Sequence, residues 1–162
     1  MTPKAILPYI GFGNIKFGME EHEVSNYLGD PDETEVQDYG EGAEANVLYF
    51  DEMGISMSFD KEADYKLVEI SFENDKFILY DKIKVGMSKE DFLAAVKELK
   101  MEDYEMEDMK EDGFDDKELY TFEKENINIW LDEEAITSIQ IGPEWVDDET
   151  IRWPERSKND ED

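Results

Sequence analysis

The sequence predicts an α+β protein: two tandem helix-plus-antiparallel-meander repeats that form one sheet, with both helices on one face. Three observations carry this expectation. The phrase IKFGMEEHEVSNYL, beginning at Ile15, returns about seventy residues later as IKVGMSKEDFLAAV, beginning at Ile83. Two further blocks follow in the same order, LYFDEMGISMSFD over YTFEKENINIWLD and LVEISF over ITSIQI. The opening blocks space their apolar residues at helical intervals, whereas the later ones alternate apolar and polar residues as half-buried strands do. Ordered self-similarity of this kind marks an internal repeat. The repeats span about 12–80 and 81–142 within a single domain, 1–142, and a C-terminal arm with an acidic tail occupies 143–162.

Taken along the chain, Ile15 and Phe17 read as a short extended approach, and Gly18 supplies the turn into the first helix. Val24, Tyr27 and Leu28 lie on one face of that helix. Gly29 and Pro31 end it, since glycine takes the position after a helix readily and proline cannot continue one. GDPDETEVQDYGEGAEAN reads as a long loop. Strands follow, with Ile55, Met57 and Phe59 alternating with Ser56 and Ser58, then Val68, Ile70 and Phe72.

In the second repeat, Ile83, Val85 and Gly86 repeat the approach and turn. Ser88, three residues before Asp91, caps a helix whose apolar face is Phe92, Leu93, Val96 and Leu99. Ile127, Ile129 and Leu131 alternate with Asn128 and Trp130, and Ile136, Ile139 and Ile141 make the last strand. Trp145, Val146, Ile151 and Trp153 suit an arm that packs back, and the polar residues from Ser157 read as a loose tail. One unit of roughly 70 residues buries too little to stand alone. Two side by side share a core on one face of the sheet and leave the other face open, and function is expected on that open face.

Charge narrows the classes of function. With 45 acidic against 16 basic residues, the formal net charge is −29. Such a surface repels nucleic acid and anionic membrane, both polyanions, and suits a cationic partner, plain solubility or a halophilic cytoplasm. Cysteine is absent, which removes disulfides, thiolate nucleophiles and Cys-based metal sites. The opening residues are broken by Pro8, Gly11 and Gly13 and do not read as a signal peptide, and no stretch reaches the roughly 18–20 apolar residues of a membrane span. A cytoplasmic protein is expected.

Chemistry is sparse. His22 is the single histidine and falls on the polar side of the first helix. The acidic stretches lack the spacing of a calcium loop, and phosphate-loop and dinucleotide patterns are missing. No convergent set of residues supports catalysis, so the expectation is no enzyme, no cofactor and no metal. The densest charge lies between the second helix and its strands, in Asp103, Tyr104, Glu105, Glu107, Asp108, Glu111, Asp112, Phe114, Asp115 and Asp116. Two readings stand for it: a solvated loop, or a contact surface in which aromatic residues anchor and carboxylates steer.

The phrases GNIKFGMEEHEVSNYLGDPDE and DKIKVGMSKEDFLAAV resemble the helix-opening motif of a small α+β repeat. That repeat is shared by the β-lactamase inhibitor protein, small outer-membrane-assembly lipoproteins and bacterial toxin-immunity proteins. The resemblance runs from about Ile15 to Gly142. Without a lipobox cysteine or repeat disulfides the chain departs from the lipoprotein and secreted-inhibitor branches, so the resemblance implies a binding or immunity role. The expected function is an immunity-type inhibitor that covers the basic cleft of a cognate toxin, a nuclease in the first instance. The alternative is a non-enzymatic structural or assembly module.

Overall fold

The computed structural model describes residues 4–108, 117–147 and 150–154. Its centre is an eight-stranded antiparallel sheet. Four strands come from the first half of the chain: β4 (Glu33–Gly40), β5 (Ala43–Phe50), β6 (Ile55–Asp60) and β7 (Lys66–Phe72). Four come from the second: β9 (Glu105–Asp108), β10 (Lys117–Phe122), β11 (Ile127–Asp132) and β12 (Ala135–Ile141). The spatial order is β4-β5-β6-β7-β12-β11-β10-β9, so β7 and β12 join the halves at the middle and β4 and β9 are the edges. Short strands flank it: β1 (Lys4–Ile6) runs parallel to β8 (Phe77–Leu79), β2 (Gly11–Phe12) pairs with β3 (Ile15–Lys16), and β13 (Glu144–Trp145) pairs with β14 (Ile151–Arg152).

This corrects the α+β, helix-plus-meander expectation. The molecule is mostly sheet, and its two helices, α1 (Glu21–Leu28) and α2 (Lys89–Glu98), have only 8 and 10 residues. Within the large sheet, the strands that sequence reasoning missed are the edges; the short flanking strands β1, β2, β8, β13 and β14 were missed as well. β4 lies in the stretch read as a long loop, and β9 lies in the acidic segment. Both lack buried alternation because each has a neighbour on one side only; β5 and β10 supply the hydrogen bonds that hold them extended.

Register explains how the core is filled. Leu48, Met57, Ile70, Ile141, Ile127 and Phe122 are successive cross-strand partners, so one apolar row crosses six strands. All six are buried, on the face that the helices cover. Under α2, Phe92 meets Tyr120 edge-on with ring centroids 5.1 Å apart. At the other end Phe12, Phe72 and Phe77 form an aromatic cluster. Ser88 caps α2 by accepting the Asp91 N–H at 3.2 Å, and Lys89 ties the same turn to Glu118 of β10 at 3.0 Å.

The duplicated phrase has a definite job. In the first copy the Gly18 N–H donates to the Leu67 carbonyl, and the Met19 carbonyl accepts from Leu67 N–H. In the second, Gly86 and Met87 make the same two bonds to Ile136. Both contacts fall beside an irregularity in strand pairing, at Ser58/Phe59 and at Trp130/Leu131, where a bulge frees backbone groups. Each Gly-Met turn therefore pins a helix start onto the sheet.

These two glycines have φ of +97° and +94°, which a side chain tolerates poorly. A Cβ at Gly18 would also meet the Trp153 ring at 3.1 Å, whereas one at Gly86 would meet nothing within 4 Å. Gly86→Ala is expected to cost about 1–2 kcal/mol from backbone strain alone. Gly18→Ala is expected to cost more, because Trp153 must also move. Urea denaturation of the two variants checks the order; equal losses would show that Trp153 yields freely.

Candidate functional site

One row on the sheet face opposite the helices is polar from edge to edge. The cross-strand row reads Glu33, Tyr49, Ser56, Ser71, Gln140, Asn128, Thr121, Glu105, one residue from each of the eight strands. This row is the counterpart, one residue out of step, of the buried apolar row, as the strand period of two requires. Neighbouring rows extend it: Glu35, Val47, Ser58 and Glu69 on the first half, Glu107, Leu119, Trp130 and Ser138 on the second. Small serines floor the centre, larger side chains stand towards the flanks, and glutamates stand at both edges.

Hydrogen bonds hold the larger groups in place. Tyr49 donates its hydroxyl to Glu35 at 2.9 Å, and this bond is the main cause that raises the tyrosine pKa. Trp130 donates Nε1–H to Gln140 Oε1 at 3.2 Å. The Ser71 hydroxyl, by contrast, has no hydrogen-bond partner among the described residues, although Ser71 is only 5% exposed.

At one end of this face the C-terminal arm turns back and closes a hollow of about 680 Å³. Glu69, Asn128 and Gln140 contribute from the sheet; Trp145, Ile151 and Trp153 contribute from the arm. Glu69 is exposed to solvent, yet protein packed near its carboxyl desolvates it and raises its pKa above the usual carboxylate value. It makes no hydrogen bond or ion pair among the described residues. Tyr39, exposed near the β4–β5 turn, has a raised pKa, first through burial of its hydroxyl and then through Glu69 and Asp60.

The raised pKa fixes the sign of a pH effect. A carboxyl whose folded pKa lies above its unfolded value favours folding while protonated, and that contribution is lost as pH rises through the folded value. Glu69 therefore weakens the fold at neutral pH. Glu69→Gln is expected to be more stable than the parent at pH 7, with the difference closing below about pH 4, where both states of the parent are protonated. Thermal melts of both proteins across that range check it; a less stable variant at pH 7 would show that Glu69 has a stabilising partner.

The acidic segment singled out from sequence is divided by the fold. Glu105 and Glu107 belong to the open-face rows, while Met106 pairs with Tyr120 and Asp108 with Glu118, which place them on the helix side. Tyr104 is half-buried and packs against the core, 5.3 Å from the Tyr120 ring and 5.5 Å from Phe122. Asp103 lines a small depression with Glu105, Thr121, Glu123 and Lys124. Glu111, Asp112, Phe114, Asp115 and Asp116 lie outside the described residues. Sequence reasoning missed Tyr49, Glu69, Ser71 and Gln140. The available signal was the polar half of each alternating strand, which it used only to recognise strands.

His22 stands exposed on α1, 3.7 Å from Glu20. Among the described residues no group of three or more His, Cys, Asp or Glu is placed to hold a metal ion, and no helix is long and apolar enough to cross a membrane. Comparison with known proteins found no matching family model, no matching curated sequence and no matching solved structure.

Proposed function

We propose that this is a non-enzymatic binding protein that covers a basic surface of a partner protein with its open, acid-edged sheet face. The specific form we favour is an immunity-type inhibitor acting in the cytoplasm, which occupies the substrate cleft of a cognate toxin such as a nuclease. The observation that carries the reading is the polar row that crosses all eight strands on the face opposite the helices, with a glutamate at each end. Eight strands at about 4.8 Å spacing and six residues at about 3.4 Å give a footprint of roughly 700–800 Å². That matches the roughly 800 Å² per partner of a standard protein interface.

The charge serves the same purpose. A nuclease cleft is basic because its substrate is a polyanion, and a carboxylate-edged surface competes for it. Opposite charges also steer encounter, raising capture rates towards about 10⁸–10⁹ M⁻¹s⁻¹ at low salt. Charge on the outer strands has a second benefit, since unpaired sheet edges invite aggregation and carboxylates discourage it.

The test is a low-salt pull-down from the native organism, with the parent protein and a Ser56→Arg/Ser138→Arg variant as parallel baits. Both substitutions lie on the open face and leave the core untouched. A single basic protein held by the parent, lost with the variant, and inhibited by the parent in its own activity assay supports the reading. Equal recovery on both baits, or no basic protein on either, overturns it.

A further inference from the structure

We propose that the hollow beneath the C-terminal arm is a receptor for an arginine side chain of the partner. The inference rests on the reading of the open face as a protein-binding surface and adds the anchor point and the chemistry recognised there.

Three features of the hollow point the same way. The first is its aromatic wall. Trp153 already carries a cation on its face, with Lys66 Nζ 5.7 Å from the ring centroid, so the free protein shows how that indole receives positive charge. Trp145, on the same wall, is 49% exposed and has no such partner among the described residues. The second is charge balance. Among the described residues, Asp60, Glu62, Asp64 and Glu69 line the hollow against one lining cation, Lys66.

The third is unmet hydrogen bonding. Among the described residues, neither the Glu69 carboxylate nor the Asn128 side chain has a partner, and both face the hollow. Of its other amides, Asn126 donates to the Pro143 carbonyl at 2.8 Å, and the Gln140 oxygen accepts from Trp130. The site thus presents an unpaired carboxylate and an unpaired amide oxygen, together with amide N–H groups, beside an aromatic face. A guanidinium is planar, stacks on indole and carries five N–H donors but no acceptor, which matches that arrangement better than a compact, strongly hydrated ammonium. Partial desolvation of Glu69 strengthens its attraction for such a cation.

The experiment uses the full chain and titrates acetyl-arginine-amide, with acetyl-citrulline-amide as the uncharged isostere and acetyl-lysine-amide as the compact cation. The readout is the indole N–H signals of Trp145 and Trp153 in two-dimensional NMR, assigned with Trp→Phe variants. Expected is a shift of both signals by the arginine compound with a Kd of about 1–10 mM. Lysine should bind less tightly, citrulline not at all, and Glu69→Gln should weaken arginine binding about 5–10-fold. No shift, or equal shifts with citrulline, overturns the proposal.

The two levels separate cleanly. Arginine-amide binding without any basic protein partner would retain the hollow and remove the proposed function. A basic partner captured by the open face with unchanged affinity for Glu69→Gln and Trp145→Ala would retain the function and remove the hollow as its anchor.

Discussion

Phe72→Ala is expected to destabilise the protein by about 3–5 kcal/mol, the largest effect of any single truncation proposed here. Phe72 is fully buried at the seam of the sheet, paired with Ile55 of β6 on one side and Ile139 of β12 on the other. Its ring lies 5.6 Å from that of Phe12 and 4.8 Å from that of Phe77. Truncation thus removes apolar contact from both halves of the sheet and from the N-terminal strands together, and leaves a cavity that rigid neighbouring strands cannot close. A domain of this length has a total stability of about 8–24 kcal/mol at ordinary values per residue, so the loss is a large fraction of the whole. Phe72→Leu, which keeps most of the volume, is expected to cost about 1–2 kcal/mol. Urea denaturation with a shared slope for parent and variants provides the measurement. A loss below about 1 kcal/mol for Phe72→Ala would mean that the two halves do not depend on this seam.

Raising sodium chloride from about 0.01 M to 1 M is expected to increase the melting temperature by several degrees. The net charge of −29 makes self-repulsion the dominant long-range electrostatic effect in the folded state. Attractive pairs are few by comparison: among the described residues Lys82–Glu98, Lys89–Glu118 and Arg152–Glu144 are Lys or Arg ion pairs, and their side chains are exposed or partly so. Exposed pairs of this kind contribute about 0–1 kcal/mol each and weaken in salt. Screening shortens from about 30 Å to about 3 Å across that salt range, so repulsion between distant carboxylates is relieved. About 2 kcal/mol of relief corresponds to a rise of about 4–8 °C for a chain of this size. Calorimetry in a sodium chloride series checks the direction, and a falling melting temperature would show that the ion pairs outweigh the repulsion. The same series bears on binding, where salt works in the opposite sense: screening that steadies the free protein slows capture of a basic partner.

Chemical information in this chain is divided between adjacent residues of the same strands. In INIWLD the residues Ile127, Ile129 and Leu131 are buried, while Asn128 and Trp130 between them belong to the open face. The alternation that reveals the strand therefore also names the residues of the candidate site. That correspondence holds for β6 and β11, where burial is regular, and fails for β4 and β9, which are exposed along their lengths. An edge strand is held by hydrogen bonds from its neighbour and needs no apolar pattern, so local sequence carries little sign of it.

The sequence by itself determined the duplicated Gly-Met turns, the two helices with the Ser88 cap, the apolar halves of the inner strands and the strong negative charge. Each depends on residues close together in the chain or on composition alone. Tertiary structure decided that four strands from each half join at β7 and β12 into one sheet, which changes the class from α+β to mostly sheet. It also packed Tyr104 against the core while leaving Glu105 at the edge, and it set Glu69, Asn128, Trp145 and Trp153 around one hollow. The physical reason is that register and sheet order fix which residues meet across strands, and these depend on partners tens of residues away that no local pattern encodes.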